Sequence, residues 1–149
     1  MASTAGTKEP PAALTESGLA RAKAELRRLH LRWQCLTREE GAAITTADWN
    51  LVIQLQTTKK HLQQEIATAE QRVREEARRC GADETKHRRE FRPIVEVSIQ
   101  LESYNRDLMA VQLQQARAQH QETNHVILNL RQLHHAYVHK PNSVWQSYS

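Results

Sequence analysis

Three histidines near the end of the chain, His134, His135 and His139, form a His-His-x-x-x-His run. Two imidazoles four apart on one helical face have the spacing of a zinc-binding pair. The set stops there. No Glu follows the first histidine as in the metalloprotease pattern, and no Cys, Asp or Glu stands close by to complete a ligand shell. These histidines are therefore read as surface or interface imidazoles and no metal is expected. If they lie in an interface, protonation near pH 6 to 6.5, at about the ordinary histidine value, would weaken it.

A second candidate is electrostatic. Arg72, Arg74, Arg78, Arg79, Lys86, Arg88, Arg89 and Arg92 precede spaced apolar residues at Ile94, Leu101 and Leu108, the order of a basic region followed by a zipper. Gly81 and Pro93 break the required continuity, and Glu75, Glu76, Asp83, Glu84 and Glu90 dilute the charge. Sequence-specific DNA binding is not expected. Arg72, Arg74, Arg78, Arg79, Arg88 and Arg89 remain as candidate contacts to an acidic partner, such as a microtubule surface, and the alternative function is a nucleic-acid-associated adaptor using the basic 72–92 segment. Thr57-Thr58-Lys59-Lys60 lacks the glycines of a phosphate loop, and no nucleophile, base and orienting group are brought together by spacing. The expectation is a protein that is not an enzyme and uses no cofactor.

What must position these residues is helical. Aromatics are 5 % of the 149 residues and glycines number four, whereas 39 % are hydrophobic and 26 % charged. This composition suits rods with a narrow apolar stripe better than a β-rich fold or a thick globular core. The net charge of +4 is confined to residues 1–92, which hold 17 basic against 13 acidic side chains; residues 93–149 hold four of each. No apolar run approaches the roughly 18 to 20 residues of a membrane span, so membrane insertion is not expected. Cys35 and Cys80 stand apart without a Cys-x-x-Cys, as reduced thiols of a cytoplasmic protein would. The expected locations are the cytoplasm and its cytoskeleton, centrosome or cilium, with the nucleus left open.

Heptad spacing divides the chain. Residues 1–14 are small, polar and proline-bearing and read as a disordered tail. Leu19, Ala22, Leu26, Leu29, Trp33 and Leu36 mark a first helix over about 17–40, ended by Gly41. Val52, Leu55, Leu62, Ile66, Ala69 and Val73 mark a second over about 47–80, with Lys59 as a polar intruder and Gly81 at its end. Pro93 suits a first helical turn, so the third helix is expected over 93–139, with Ile94, Val97, Leu101, Tyr104, Leu108 and Val111 as its seam and no Pro or Gly before Lys140.

The fold expected is all-α: an elongated antiparallel coiled coil of three long helices, in which the C-terminal helix outruns its neighbours and projects beyond the bundle. The projecting part carries Val126, Ile127, Leu130, Leu133 and Tyr137. Exposing that many large apolar side chains is costly, at about 1.5 to 3 kcal/mol each, so these residues are the expected partner-binding face. Trp145 and Tyr148, in a C-terminal tail over 140–149, are added as aromatic anchors. The function expected is that of a structural subunit that assembles with a helical partner, or with itself, in a cytoskeletal, centrosomal, ciliary or vesicle-tethering complex.

Overall fold

The computed structural model describes residues 12–119 and 124–139, all helix apart from two short connections. Four helices follow in order: α1 (Ala12–Thr45), α2 (Trp49–Cys80), α3 (Glu84–Gln119) and α4 (Asn124–His139). The expectations for residues 1–11, the 140–149 tail, Trp145 and Tyr148 lie outside the described residues.

The connections are those that local chemistry favours. Ala47 takes a positive φ of 57° and Asp48 caps α2, its carboxylate accepting from the Leu51 amide at 3.2 Å. Gly81 closes α2 in the left-handed conformation at φ 68°, and Asp83 accepts from the Thr85 amide at the start of α3. Two expected boundaries move. Gly41 does not end α1. It sits buried inside the helix, where a Cβ would lie 2.6 Å from Asn105 Oδ1, so its missing side chain is what lets α3 approach. Nor does α3 begin at Pro93: the helix starts at Glu84 and passes through the proline, which lies on its exposed side.

Contacts along the helices give their directions. Gly18 meets Glu76 and Glu40 meets Lys59, so α1 and α2 are antiparallel. Gln34 donates to the Ile94 carbonyl, Asn105 to the Thr37 carbonyl and Gln112 to the Thr45 carbonyl, so α1 and α3 run parallel. The third helix stops at Gln119, and α4 returns along it to place Leu130 and Leu133 beside Met109 and Leu113.

That return corrects the expected projection. The structure is an up-down-up-down arrangement of four helices, not three with an overhang. Leu130 is 1 % exposed and Leu133 9 %, packed with Ala43, Ile44, Val52 and Leu55. Apolar surface that would have been stranded in water is covered by the chain's own α1, α2 and α3. The continuous-helix reading rested on the absence of Pro and Gly between Ile94 and Lys140; burying α4's apolar face outweighs that local preference.

The interior has two apolar clusters. One gathers Leu26, Leu29, Trp33, Leu62, Ile66, Ala69, Val73 and Phe91 from α1, α2 and α3; the other joins the far ends of these helices to α4. In the first, the rings of His30 and His87 both lie against Phe91, with centroids 5.9 and 4.8 Å from it, and His87 Nε2 lies 3.5 Å from Glu70.

Two predictions follow from this packing. Leu130→Ala will lower unfolding stability by about 2 to 5 kcal/mol, whereas Leu128→Ala, on the exposed side of the same helix, will change it by under about 0.5 kcal/mol; urea titration of the two variants measures the contrast. Burial, reinforced by His87 and opposed by Glu70, lowers the His30 pKa from 6.5 to about 4. The unfolded chain therefore takes up a proton that the folded chain refuses. The stabilising contribution is complete above pH 6.5 and declines towards pH 4, by about 3 kcal/mol in all. The decline will be smaller in His30→Leu, as read from the difference between the two proteins' urea midpoints across pH 4 to 7.

Candidate partner-binding site

Between the two apolar clusters lies a buried polar layer. Lys59, the intruder in the second helix's seam, is 3 % exposed. Its ammonium is 2.8 Å from Glu40 Oε2 and 2.5 Å from Glu102 Oε1 and stands 4.8 Å above the Trp33 ring. Around this centre Asn105 Nδ2 donates to the Thr37 carbonyl at 2.8 Å and to Glu40 at 3.3 Å, and Thr37 Oγ1 donates to the Trp33 carbonyl at 2.8 Å. Gln56 Nε2 donates to Glu40 Oε1 and, at 2.7 Å, to the Tyr137 hydroxyl.

Each helix thus supplies at least one member. Burial, followed by the charge and hydrogen bond of Glu40, raises the Tyr137 pKa and keeps its phenol protonated. The arrangement holds helices in register. Lys59 and Glu40 are enclosed by the bundle, and Glu102 is mostly so.

The surface of α3 presents a different pattern. Its interior stripe is His87, Phe91, Val95, Ser98, Asn105, Met109 and Leu113. The heptad seam legible in the sequence lies about 100° around the helix, at one residue's rotation from Ser98. Val97 is 39 % exposed, Tyr104 59 % and Val111 49 %, and Leu101 and Leu108 between them are half-buried. Steps of four, three, four and three residues separate these five side chains. No charged residue interrupts the row, which is the pattern one helix offers another.

The seam runs along the edge that α3 shares with α1. Lys23 pairs with Glu90 at 3.0 Å and Gln34 and Gln112 donate across the same edge.

The sequence-derived site residues are redistributed. Leu130 and Leu133 are core residues; Val126, Ile127 and Tyr137 are half-buried, and Tyr137 is bound into the polar layer. As folded, α4 does not offer these residues as a projecting partner face. Of the arginines, Arg72, Arg78, Arg79, Arg88 and Arg89 are exposed and Arg74 is half-buried. Arg79 pairs with Glu76 at 3.1 Å, and Arg78 lies 3.9 Å from Glu84. Arg72 lines an open cleft of about 460 Å³ between α1 and α2, together with Arg28, His61, Glu25 and Glu65. The acids there offset much of the basic charge; Arg28 and Glu25 approach to 2.7 Å.

His134 is half-buried and His135 exposed, and among the described residues no group of His, Cys, Asp and Glu is arranged to hold a metal ion. Cys35 is exposed and Cys80 half-buried, both as free thiols. No described helix is long and apolar enough to cross a membrane. No family model, curated protein or solved structure matches the chain.

The polar layer yields a prediction of its own. Lys59→Met leaves two carboxylates facing each other in the interior and will cost about 3 to 5 kcal/mol, whereas Lys59→Met combined with Glu40→Leu and Glu102→Leu will recover most of that loss. Denaturant titrations of the single and triple variants test it.

Proposed function

We propose that this chain is a non-enzymatic assembly subunit that takes a partner helix along the outer seam of α3. The observation that carries the reading is the exposure of Val97, Tyr104 and Val111 in a heptad row with Leu101 and Leu108. A partner helix with its own aliphatic stripe would extend the bundle on the α1–α3 side and remove these side chains from water. Tyr104 is the natural centre, because a large aromatic ring supplies contact area with few rotatable bonds. The cellular setting we propose is a cytoskeletal, centrosomal, ciliary or vesicle-tethering complex, in which small helical subunits hold longer ones together.

A nucleic-acid-associated adaptor is the second reading, favoured by the exposed arginines near the α2–α3 corner. Arg78, Arg79 and Arg92 each have an acid within 4 Å, at Glu84, Glu76 and Glu96. That local neutralisation leaves the apolar seam as the better-supported surface. Binding of RNA or DNA that weakens steeply with salt would favour the adaptor.

The seam is tested by placing a photo-crosslinking side chain at position 104 and mapping what it captures. The expected product is a crosslink to an amphipathic helix of another protein. Tyr104→Lys with Val111→Lys is expected to abolish capture measured from a second reporter at Leu108, while the unfolding midpoint stays near that of the unsubstituted protein, because both side chains are already exposed. Capture that survives both lysines overturns the assignment of the site.

A further inference from the structure

We propose that the helix taken by the α3 seam belongs to another protein and is acidic along one border, where its carboxylates meet Arg27 and Arg38 of α1. The inference rests on the α3 seam as the docking face and adds the charge that selects the partner.

The seam and the two arginines share one groove. The Ile94 carbonyl of α3 accepts from Gln34 of α1, and Gln112 of α3 donates to the Thr45 carbonyl. Ile94 stands three residues before Val97, and Gln112 four after Leu108, so the seam borders α1 at both ends. The facing border of α1 is fixed in the same way. Arg27 lies over the Phe91 ring of α3, its guanidinium carbon 5.5 Å from the ring centroid. Gln34 follows seven residues later on the same helical face, and Arg38 comes one turn further along. Both arginines are exposed. A helix laid against Val97, Leu101, Tyr104, Leu108 and Val111 therefore has this row of α1 beside it.

Charge then restricts the occupant. Lys23 of the same helix is paired with Glu90 and Arg28 with Glu25, whereas Arg27 and Arg38 form no ion pair among the described residues. A neutral or basic partner would crowd both cations without answering them; an acidic border gives each a counter-ion. The other border of the seam has the opposite character. Gln100 and Asp107, each one residue before a seam leucine, are exposed, and the one charge they carry is negative. The partner's acids thus belong on the α1 side. Arg27 and Arg38 are eleven residues apart, about 16 Å along the helix and close to three whole turns. Two carboxylates at the same spacing on a partner helix fall on one border and reach both. A second copy of this chain has Asp107 alone on the open border of its own seam, so it leaves at least one arginine unanswered.

Three synthetic amphipathic peptides test this against the full-length chain by fluorescence anisotropy. All have the same Leu and Ala stripe at steps of four and three, and they carry Glu, Gln or Lys at two border positions eleven residues apart. The Glu peptide is expected to bind about tenfold more tightly than the Lys peptide, with Gln between them, and the gap to narrow as salt rises. Arg38→Glu alone is expected to shrink the preference, and Arg27→Glu with Arg38→Glu to invert it in favour of Lys. Equal affinities for the three peptides overturn the proposal. If Tyr104→Gln with Val111→Gln then abolishes all three, the seam stands as the docking face and only the acidic partner is lost. A Glu preference that survives those seam substitutions overturns both readings. Binding of none of the peptides overturns the proposal, as does a species at twice 17.2 kDa that the same substitutions remove, since that result seats a second copy on the seam.

Discussion

The constraint from which the rest of the bundle takes its alignment is the enclosure of one ammonium between two carboxylates. Lys59 on α2 meets Glu40 on α1 and Glu102 on α3, with Asn105, Thr37 and Gln56 supplying the remaining hydrogen bonds. In a bundle with only aliphatic layers, sliding one helix by a turn exchanges one leucine contact for another at modest cost. Here a one-turn slide of α2 sets Lys59 against apolar side chains and leaves Glu40 without its cation. The penalty for an unpaired buried charge is several kcal/mol, large beside the total stability of a domain of this size. The layer contributes little net attraction, because desolvation opposes the ion pairs. Its effect is to reject alternative registers.

Once the register is set, the two ends of the bundle have different requirements. On the Leu26 and Phe91 side, three helices close around an aromatic ring and two imidazoles. On the Ile44 and Met109 side, small residues such as Ala43 line α1, and three helices alone leave Val52, Leu55 and Leu113 without full cover. The fourth helix supplies it. It reaches only as far as the polar layer, where Tyr137 meets Gln56. The short length of α4 is thus matched to one apolar cluster.

The helices of the first two-thirds were legible because their interior positions are aliphatic at heptad spacing: Leu26, Leu29, Trp33, Leu62, Ile66 and Val73 are core in both sequence and structure. The third helix misled for a physical reason. Its interior stripe includes His87, which lies beside Glu70 of α2, Ser98, which donates to the Ile94 carbonyl one turn back, and Asn105, whose partners Thr37 and Glu40 are on α1. Its more regular apolar stripe lies outside. Periodicity detects apolar residues and has no means of detecting a polar residue whose partner is sixty positions away. The separation of α3 from α4 was not legible either, since no glycine or proline occurs from Ile94 to Lys140. Asn105 was recoverable in principle through Gly41: a glycine within a helical pattern admits a close neighbour as readily as it ends a helix, and here it admits Asn105.

The third helix also carries the surface on which the proposed partner helix would lie. If this chain's own stability were the sole constraint on α3, its polar residues would face water and Val97, Tyr104 and Val111 would be spared exposure. The reverse arrangement is maintained at both faces. The inward polar residues have a structural explanation in the register that they help to fix. The outward apolar ones are not explained by burial in the described chain, since Val97, Tyr104 and Val111 are 39, 59 and 49 % exposed and lysine or glutamate there would raise solubility. The second helix proposed above, laid along them, would turn an exposed liability into an interface. The regular spacing then follows from the geometry of that contact, because an isolated surface valine or tyrosine has no reason to recur every seven residues.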